Sequence, residues 1–172
     1  MKMNQMKEIR VAKVTLNIGA GKDQSRLEKG VALLKSIADA NPIKTITNKR
    51  VQEWGLRPGL PIGCKLTLRK HRAIKILPRL LDAVDNRLNK RQFDNNGNIA
   101  FGIHEYINIP QAKYDPKIGI MGLEVCITLE RPGYRIKRRR LFTRVVPTRH
   151  RISKQEAIDF MTKQFNIVAE DE

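Results

Sequence analysis

The sequence predicts an α+β fold: a single domain over 1–172, with a mostly antiparallel sheet, helices packed on one face and a polar opposite face. Several short segments alternate apolar with polar residues, as half-buried strands do. Other segments carry apolar residues at helical spacing behind capping signals. The chain has 172 residues without a repeat or a low-complexity linker, which favours one domain around one core.

The first strand is predicted over 11–18, where apolar residues alternate with Lys13, Thr15 and Asn17. This period of two gives the strand one buried and one polar face, and Gly19-Ala20-Gly21 ends it. A helix is predicted next. Ser25 and Glu28 match the capping box Ser-x-x-Glu, and Asn41-Pro42 stops the helix. Its apolar stripe consists of Leu27, Val31, Leu33, Leu34, Ile37 and Ala38.

Two further strands are predicted over 43–49 and 62–69, paired antiparallel around a long loop. The loop, at about 50–62, is rich in Gly and Pro and centres on Arg57-Pro58-Gly59. We expect it to project and to move. The polar faces of these strands carry Thr45, Thr47 and Lys49, then Lys65, Thr67 and Arg69.

A second helix is predicted over 72–89, and Pro78 should either kink it or mark its true start. The rest of the chain predicts a turn at 94–97, a strand at 99–103, a loop at 106–122, a strand at 123–129, a helix opened by the capping box of Ser153 and Glu156, and a frayed acidic tail at 170–172.

Charge gives the strongest indication of function. Lys and Arg number 34 against 17 Asp and Glu, a net charge of +17. A chain this basic repels itself and favours a polyanionic partner, with binding that weakens as salt rises. A merely soluble basic protein is the alternative.

The cysteines and the N-terminus bear on compartment and metal binding. Cys64 and Cys126 are too few for a disulfide framework or a four-ligand zinc site, and both are expected to be small buried hydrophobes. Residues 1–8 lack an apolar signal core, and no apolar run is long enough to span a membrane. The sequence therefore predicts a cytoplasmic protein without a metal or cofactor.

Two surfaces could carry nucleic-acid binding. Three strands each place Thr beside Lys, Arg or Asn on one face, which suits phosphate, ribose hydroxyls and base edges; a solvated strand face is the alternative. The second is the basic segment 131–151, which contains no acidic residue. A solvated charge run and a nuclear address are the alternatives there.

Catalysis finds no support in the sequence. Gly19-Ala20-Gly21 follows a strand and precedes a helix, but position 24 is Gln, so the third Gly of a dinucleotide-binding turn is missing. His71, His104 and His150 are scattered without partner spacing. A nucleotide-dependent enzyme and a DNA-compacting protein remain the competing hypotheses.

Six segments carry a family resemblance that runs in order along nearly the whole chain. They are VAKVTLNIGAG at 11–21, WGLRPGLPIGCKLTLR at 54–69, FGIHEY at 101–106, YDPKIGIMG at 114–122, ERPGYRIKRR at 130–139 and HRISKQEA at 150–157. These segments resemble the large-subunit ribosomal protein five family, and the last two resemble its archaeal and eukaryotic branch. Two features of bacterial members are absent: Gly-Gln after the first helix and a long N-terminal helix.

The resemblance implies a non-enzymatic protein that binds 5S rRNA and large-subunit rRNA and helps seat 5S rRNA in the central protuberance beside other proteins of that region. It also implies contact with peptidyl-site tRNA and an intersubunit bridge to small-subunit ribosomal protein thirteen.

Candidate residues follow by position. For rRNA they are Lys13, Thr15, Asn17, Thr45, Thr47, Asn48, Lys49, Arg50, Lys65, Thr67, Arg69, Arg131, Arg135, Lys137, Arg138, Arg139 and Arg140. The tRNA-proximal loop would be Trp54, Gly55, Leu56, Arg57, Pro58, Gly59, Leu60 and Pro61. The bridge would use Tyr114, Asp115, Pro116, Lys117, Ile118 and Gly119.

Overall fold

A computed structural model describes residues 4–170 and confirms the α+β prediction. In chain order the helices and strands are β1 Arg10–Gly19, α1 Gln24–Ala38, β2 Ile43–Ile46, β3 Pro61–Arg69, α2 Lys70–Asp82, β4 Arg87–Asn89, β5 Asn98–Ile103, β6 Leu123–Glu130, α3 Lys154–Phe165 and β7 Val168–Glu170. Five strands form an antiparallel sheet in the order β2-β3-β1-β6-β5, and two short strands, β4 and β7, pair separately.

The core lies between the sheet and its helices. Alternate residues of each long strand point inward, so Leu16 of β1, Leu66 of β3 and Ile127 of β6 are buried in one core. Helices α1 and α2 pack against β1 and β3. Burying these aliphatic side chains supplies the main stabilising free energy of the fold. The other set of alternate residues is left on the opposite side, which we call the outer face.

The start of α1 differs from the prediction. The N-cap is Asp23, whose carboxylate accepts hydrogen bonds from the backbone N–H groups of Ser25 and Arg26. Ser25 and Glu28 therefore do not form the predicted capping box, because an aspartate two residues earlier is an equally good cap. The helix ends at Ala38, where Asp39 adopts the left-handed conformation, before the predicted Asn41-Pro42 stop.

The second strand is shorter than predicted and ends at Ile46. Its register with β3 shifts between Thr45 and Ile46, and the partner of Ile46 is Pro61, which has no N–H to donate. Thr47 and Lys49 therefore lie beyond the strand and do not share its polar face.

The second helix is also shorter than predicted, and Glu170 at the C-terminus belongs to a strand and not to a frayed tail. Helix α2 ends at Asp82, and Pro78 lies inside it on the exposed side. The residues that follow form β4, which pairs in parallel with β7. Glu170, predicted to fray, is the last residue of β7; residues 171–172 lie outside the described part.

The remaining elements agree with the prediction. Asp94 closes the turn before β5 by accepting hydrogen bonds from the backbone of Asn96 and Asn98. Helix α3 begins at the predicted capping box, in which Ser153 and Glu156 bond each other's backbone N–H.

Candidate nucleic-acid interface

The outer face of β1 and β3 brings the predicted polar residues into three facing pairs. Lys13 lies opposite Arg69, Thr15 opposite Thr67, and Asn17 opposite Lys65. Directly opposed residues of an antiparallel pair hold their Cβ atoms about 5 Å apart. The two strands therefore present a ladder with cations at both ends and hydroxyls in the middle.

The ladder continues onto β6 and β5, which contributed no residue to the predicted RNA-binding set. Across β6 the three rows extend to Thr128, Cys126 and Glu124, and across β5 to Asn98, Ala100 and Gly102. The period of two in both strands could have identified these residues, since whatever alternates with a buried residue must lie outside. The side chains in the middle row of the outer face are small and project little from the sheet, so an extended ligand can lie across it.

One carboxylate interrupts the basic character of the outer face. Glu124 is exposed and accepts a hydrogen bond of 3.0 Å from the Asn17 side-chain amide. This contact fixes the Asn17 side chain so that its carbonyl oxygen is left to accept from a ligand, while Glu124 repels phosphate from that corner.

Cys126 is exposed, against the prediction that both cysteines are buried, because Leu123, Val125 and Ile127 take the inward positions of β6. Its thiol pKa is raised by partial burial and by the Glu124 carboxylate, while Lys13 lowers it. Cys64 is buried as predicted, and burial raises the pKa of its thiol.

Thr47 joins the two ends of the loop between β2 and β3 by hydrogen bonds. Its backbone N–H donates to the Leu60 carbonyl and its own carbonyl accepts from Gly59. Its hydroxyl accepts from the N–H of Lys49, and the whole residue is only 8% exposed. The hydrogen-bonding groups of Thr47 are therefore occupied by contacts within the loop, whereas Asn48, Lys49 and Arg50 beside it are exposed.

The loop itself has a folded tip. Val51 and Leu56 form an isolated antiparallel bridge, and Gly55 and Gly59 have positive φ angles of 65° and 87°, which glycine adopts without strain. Leu56 is buried, so it is not among the loop residues that a partner could contact, whereas Trp54 is 67% exposed. The exposed part of the predicted tRNA-proximal loop consists of Trp54, Gly55, Arg57, Pro58 and Gly59.

The basic segment 131–151 is closed at its base by paired contacts between its two ends. Arg131 donates to the Arg151 carbonyl, Tyr134 donates to the His150 carbonyl, and the His150 ring lies 2.9 Å from the Pro132 carbonyl oxygen. Arg131 is buried and bonded to Glu156, so it anchors the segment and is not exposed with the other arginines.

The exposed part of the basic segment returns toward the sheet. Arg138 pairs at 2.6 Å with Glu130 at the end of β6, which brings the Lys137–Arg140 run beside the outer face. Arg135, Lys137, Arg138, Arg139 and Arg140 are all exposed, as predicted for cations that meet a polyanion. The basic segment also exposes Leu141 and Phe142, which were not among the predicted RNA-binding residues.

The segment Tyr114–Gly119 forms a tight turn, which precedes the basic segment 131–151 in the sequence. The Asp115 backbone N–H donates to the buried Tyr106 hydroxyl, and the Asp115 carboxylate accepts from the Lys117 N–H. Ile118 is buried beneath the turn and Tyr114 is 55% exposed. The turn is thus a fixed surface feature with one aromatic side chain offered to a partner.

Residues 4–170 contain no helix that is long and apolar enough to cross a membrane. Within the same range, no group of three or more His, Cys, Asp or Glu side chains is placed to hold a metal ion.

Two family models match the chain, and both belong to one ribosomal family. The model described as "Ribosomal protein L5" covers residues 4–57, and the model for the C-terminus of that family covers residues 61–160. The matches meet in the loop between β2 and β3. The first contains β1, α1 and β2, and the second contains β3 to β6, the basic segment and half of α3.

Curated archaeal relatives align over nearly their full length. The large ribosomal subunit protein uL5 of Nanoarchaeum equitans is 48% identical over 163 residues, which cover 94% of this chain and 96% of that protein. The Sulfolobus acidocaldarius protein of the same name is 45% identical, covering 96% and 93%. The Methanosphaera stadtmanae protein is 41% identical, covering 98% and 100%.

Proposed function

The chain belongs to the ribosomal protein L5 family, and we propose that it binds 5S rRNA and large-subunit rRNA and helps attach 5S rRNA in the central protuberance. It is a structural, non-enzymatic constituent of the large ribosomal subunit, and its relatives are named large ribosomal subunit proteins. This role supersedes the nucleotide-dependent enzyme that the Gly19-Ala20-Gly21 turn had left open.

The pairing of Lys13 with Arg69 and of Asn17 with Lys65 across the outer face carries the proposal. These pairs place phosphate-binding cations on either side of two threonine hydroxyls, so one surface offers charge and hydrogen bonds together. The alternative of a purely solvated strand face does not account for the basic segment lying beside the same surface through Arg138 and Glu130.

RNA fits this surface better than duplex DNA. The outer face is a sheet with hydroxyl and amide groups spread over it, and α1 and α2 pack on the opposite side of that sheet. Duplex DNA, in contrast, is read by a helix or two-stranded ribbon that enters its major groove. Hydroxyl and amide groups suit ribose 2′-hydroxyls and the bases of loops and bulges. The net charge of +17 then supplies the salt-sensitive part of the affinity.

The test is a gel-shift titration of 5S rRNA with a charge-reversed outer face. Lys65→Glu combined with Arg69→Glu should abolish the complex while leaving the fold intact, because both side chains are exposed. The matched control is Lys29→Glu with Lys35→Glu on α1, an equal charge change on the helical side of the sheet. Equal loss in both variants would point to net charge alone, and survival of binding in the first would reject the outer face.

Two finer contacts are part of the same proposal. The exposed tip with Trp54 and Arg57 supports contact with peptidyl-site tRNA, since an aromatic ring and a cation suit an exposed nucleotide. The fixed turn carrying Tyr114 supports the intersubunit bridge to small-subunit ribosomal protein thirteen. Trp54→Ala and Tyr114→Ala should leave 5S rRNA binding unchanged and weaken, respectively, tRNA protection and subunit association.

A further inference from the structure

A cavity of about 550 Å³ lies where the basic segment meets one end of the outer face. Its floor is formed by Lys13, Thr128 and Asn98, which are neighbours across β1, β6 and β5. The volume falls within the roughly 300–1,000 Å³ typical of small-molecule sites. A single nucleotide-sized group can therefore enter it.

The walls of the cavity are strongly basic. Lys137, Arg138, Arg144 and Arg151 line it together with Lys13 of the floor. Of the described residues that line it, one is a carboxylate, Glu130, and that group is already paired with Arg138 at 2.6 Å. The cavity consequently attracts an anion, and phosphate is the anion that this chain's other surfaces are built to meet.

The cavity also carries groups that a phosphate alone would not use. Asn96, Asn98 and Thr128 supply amide and hydroxyl groups at its floor and edge. The Asn98 side-chain amide donates to Asp94 at 2.7 Å, which fixes it so that its carbonyl oxygen is left to accept. Val145 and half-buried Tyr134 add apolar surface against which a ribose or base can pack.

We propose that this cavity receives one unstacked ribonucleotide of the bound rRNA, with its phosphate among the cations of the basic segment and its base or ribose over Asn98 and Thr128. The inference rests on the proposed function, because the RNA must first lie on the outer face. A base inside a helix is stacked and cannot enter, so the nucleotide comes from a loop or bulge. An acidic peptide would match the cations but not the amide and hydroxyl floor.

The test introduces a bulky side chain at the floor of the cavity. Thr128→Trp places an indole on the outer face of β6, where aromatic residues are favoured and no core packing is disturbed. The matched control is Thr162→Trp, at an exposed position of α3. A second variant, Arg144→Ala, removes an exposed wall cation without adding bulk.

The readout is 2′-hydroxyl acylation of 5S rRNA and of large-subunit rRNA, each with the full-length wild-type or variant chain bound. The wild type and Thr162→Trp should change the reactivity of one or two single-stranded nucleotides that Thr128→Trp and Arg144→Ala both return to the free-RNA value. The rest of the footprint should persist. Affinity should fall about tenfold in Thr128→Trp, as the loss of one base contact predicts.

Each other outcome overturns the inference in a distinguishable way. An identical footprint in all chains means that the cavity is empty in the complex. Loss of the whole footprint in both cavity variants assigns the cavity to the general interface. Unchanged RNA reactivity with weaker binding of another ribosomal protein assigns it to a protein partner. Absence of any footprint with the wild type would reject the proposed function itself.

Discussion

The guanidinium of Arg131 lies 2.6 Å from the carboxylate of Glu156. Arg131 begins the basic segment and Glu156 belongs to the capping box of α3, so this contact fixes the exit from β6 against the last helix. A second guanidinium nitrogen of Arg131 bonds the Arg151 carbonyl, at the other end of the segment. One buried arginine thus positions the base of a segment in which most of the other cations are exposed.

Glu156→Gln should lower the free energy of unfolding by about 1–2 kcal/mol. Glutamine can still complete the capping box, so the helix N-terminus is kept and the change isolates the charge. Arg131 already has one buried nitrogen, Nε, without a hydrogen-bond partner, and loss of the opposing charge would leave the guanidinium uncompensated. Urea unfolding measures the effect. The control is Asp159→Asn on the exposed side of α3, which should change stability by less than about 0.5 kcal/mol.

The same contact predicts a pH dependence. Hydrogen bonding from the Ser153 backbone, followed by the Arg131 side chain, lowers the pKa of Glu156 despite some burial. A carboxylate with a lowered pKa in the folded chain stabilises that state above its unfolded pKa, about 4.3, and the contribution is lost as the pH falls through the folded value. The stability difference between wild type and Glu156→Gln should therefore be largest near pH 7 and shrink below about pH 4. A difference that stays constant between about pH 7 and about pH 3 would contradict this assignment.

The sequence predicted most of the fold because local patterns and long-range packing agree in it. Alternation alone placed Lys13, Thr15 and Asn17 on one face of their strand, and likewise Lys65, Thr67 and Arg69 on one face of theirs. The pairing of β1 with β3, which sets these two rows side by side, was not predicted. The errors have specific causes. Asp23 competed with Ser25 for the helix cap, and Pro61 interrupted the pairing that β2 would have needed to reach Lys49.

Other parts of the site depend on contacts between distant residues and could not be predicted. Nothing local to Arg131 distinguishes it from the exposed arginines that follow; only the placement of Glu156 makes it a buried anchor. In the sequence, Thr47 similarly resembles a surface threonine. Only its backbone hydrogen bonds with Gly59 and Leu60, on the other side of the loop, reveal its structural role. The parallel pairing of β4 with β7 joins segments about 80 residues apart, and each of these strands is too short to give a periodic signal.

Cys126 offers a direct probe of the outer face. It is exposed beside Thr15, whereas Cys64 is fully buried, so a thiol reagent should modify Cys126 alone in the folded chain. Its raised pKa means that the reaction should accelerate as the pH is raised toward alkaline values. Bound 5S rRNA should slow modification of Cys126 at least about tenfold if RNA covers the face. Unchanged kinetics in a saturated complex, followed by mass spectrometry, would place the RNA elsewhere.

Gly63 should be intolerant of a side chain. A Cβ atom there would lie 2.7 Å from the Ile18 carbonyl oxygen and 3.0 Å from the Thr45 hydroxyl, so Gly63→Ala must separate β3 from its neighbours. We expect a loss of about 1–3 kcal/mol in the free energy of unfolding. Gly102 is the matched control, since it lies in the same sheet with no atom within 4 Å of the added Cβ. Gly102→Ala should be neutral or slightly stabilising in the same thermal or urea melt. Equal losses in the two variants would show that strand glycine, rather than crowding, sets the effect.

The excess of cations predicts how RNA affinity depends on salt. Each phosphate neutralised by a Lys or Arg releases condensed counterions, so the logarithm of the binding constant should fall linearly with the logarithm of salt concentration. Lys65 is exposed on the outer face, and Lys65→Gln should reduce the magnitude of that slope by about 0.7–0.9, the value for one phosphate contact. Lys29→Gln, an identical change on α1, should leave the slope unchanged although it alters the net charge equally. Filter binding to 5S rRNA between low and high salt measures both slopes. If both substitutions changed the slope alike, long-range attraction by the net charge would explain the binding and Lys65 would make no specific phosphate contact.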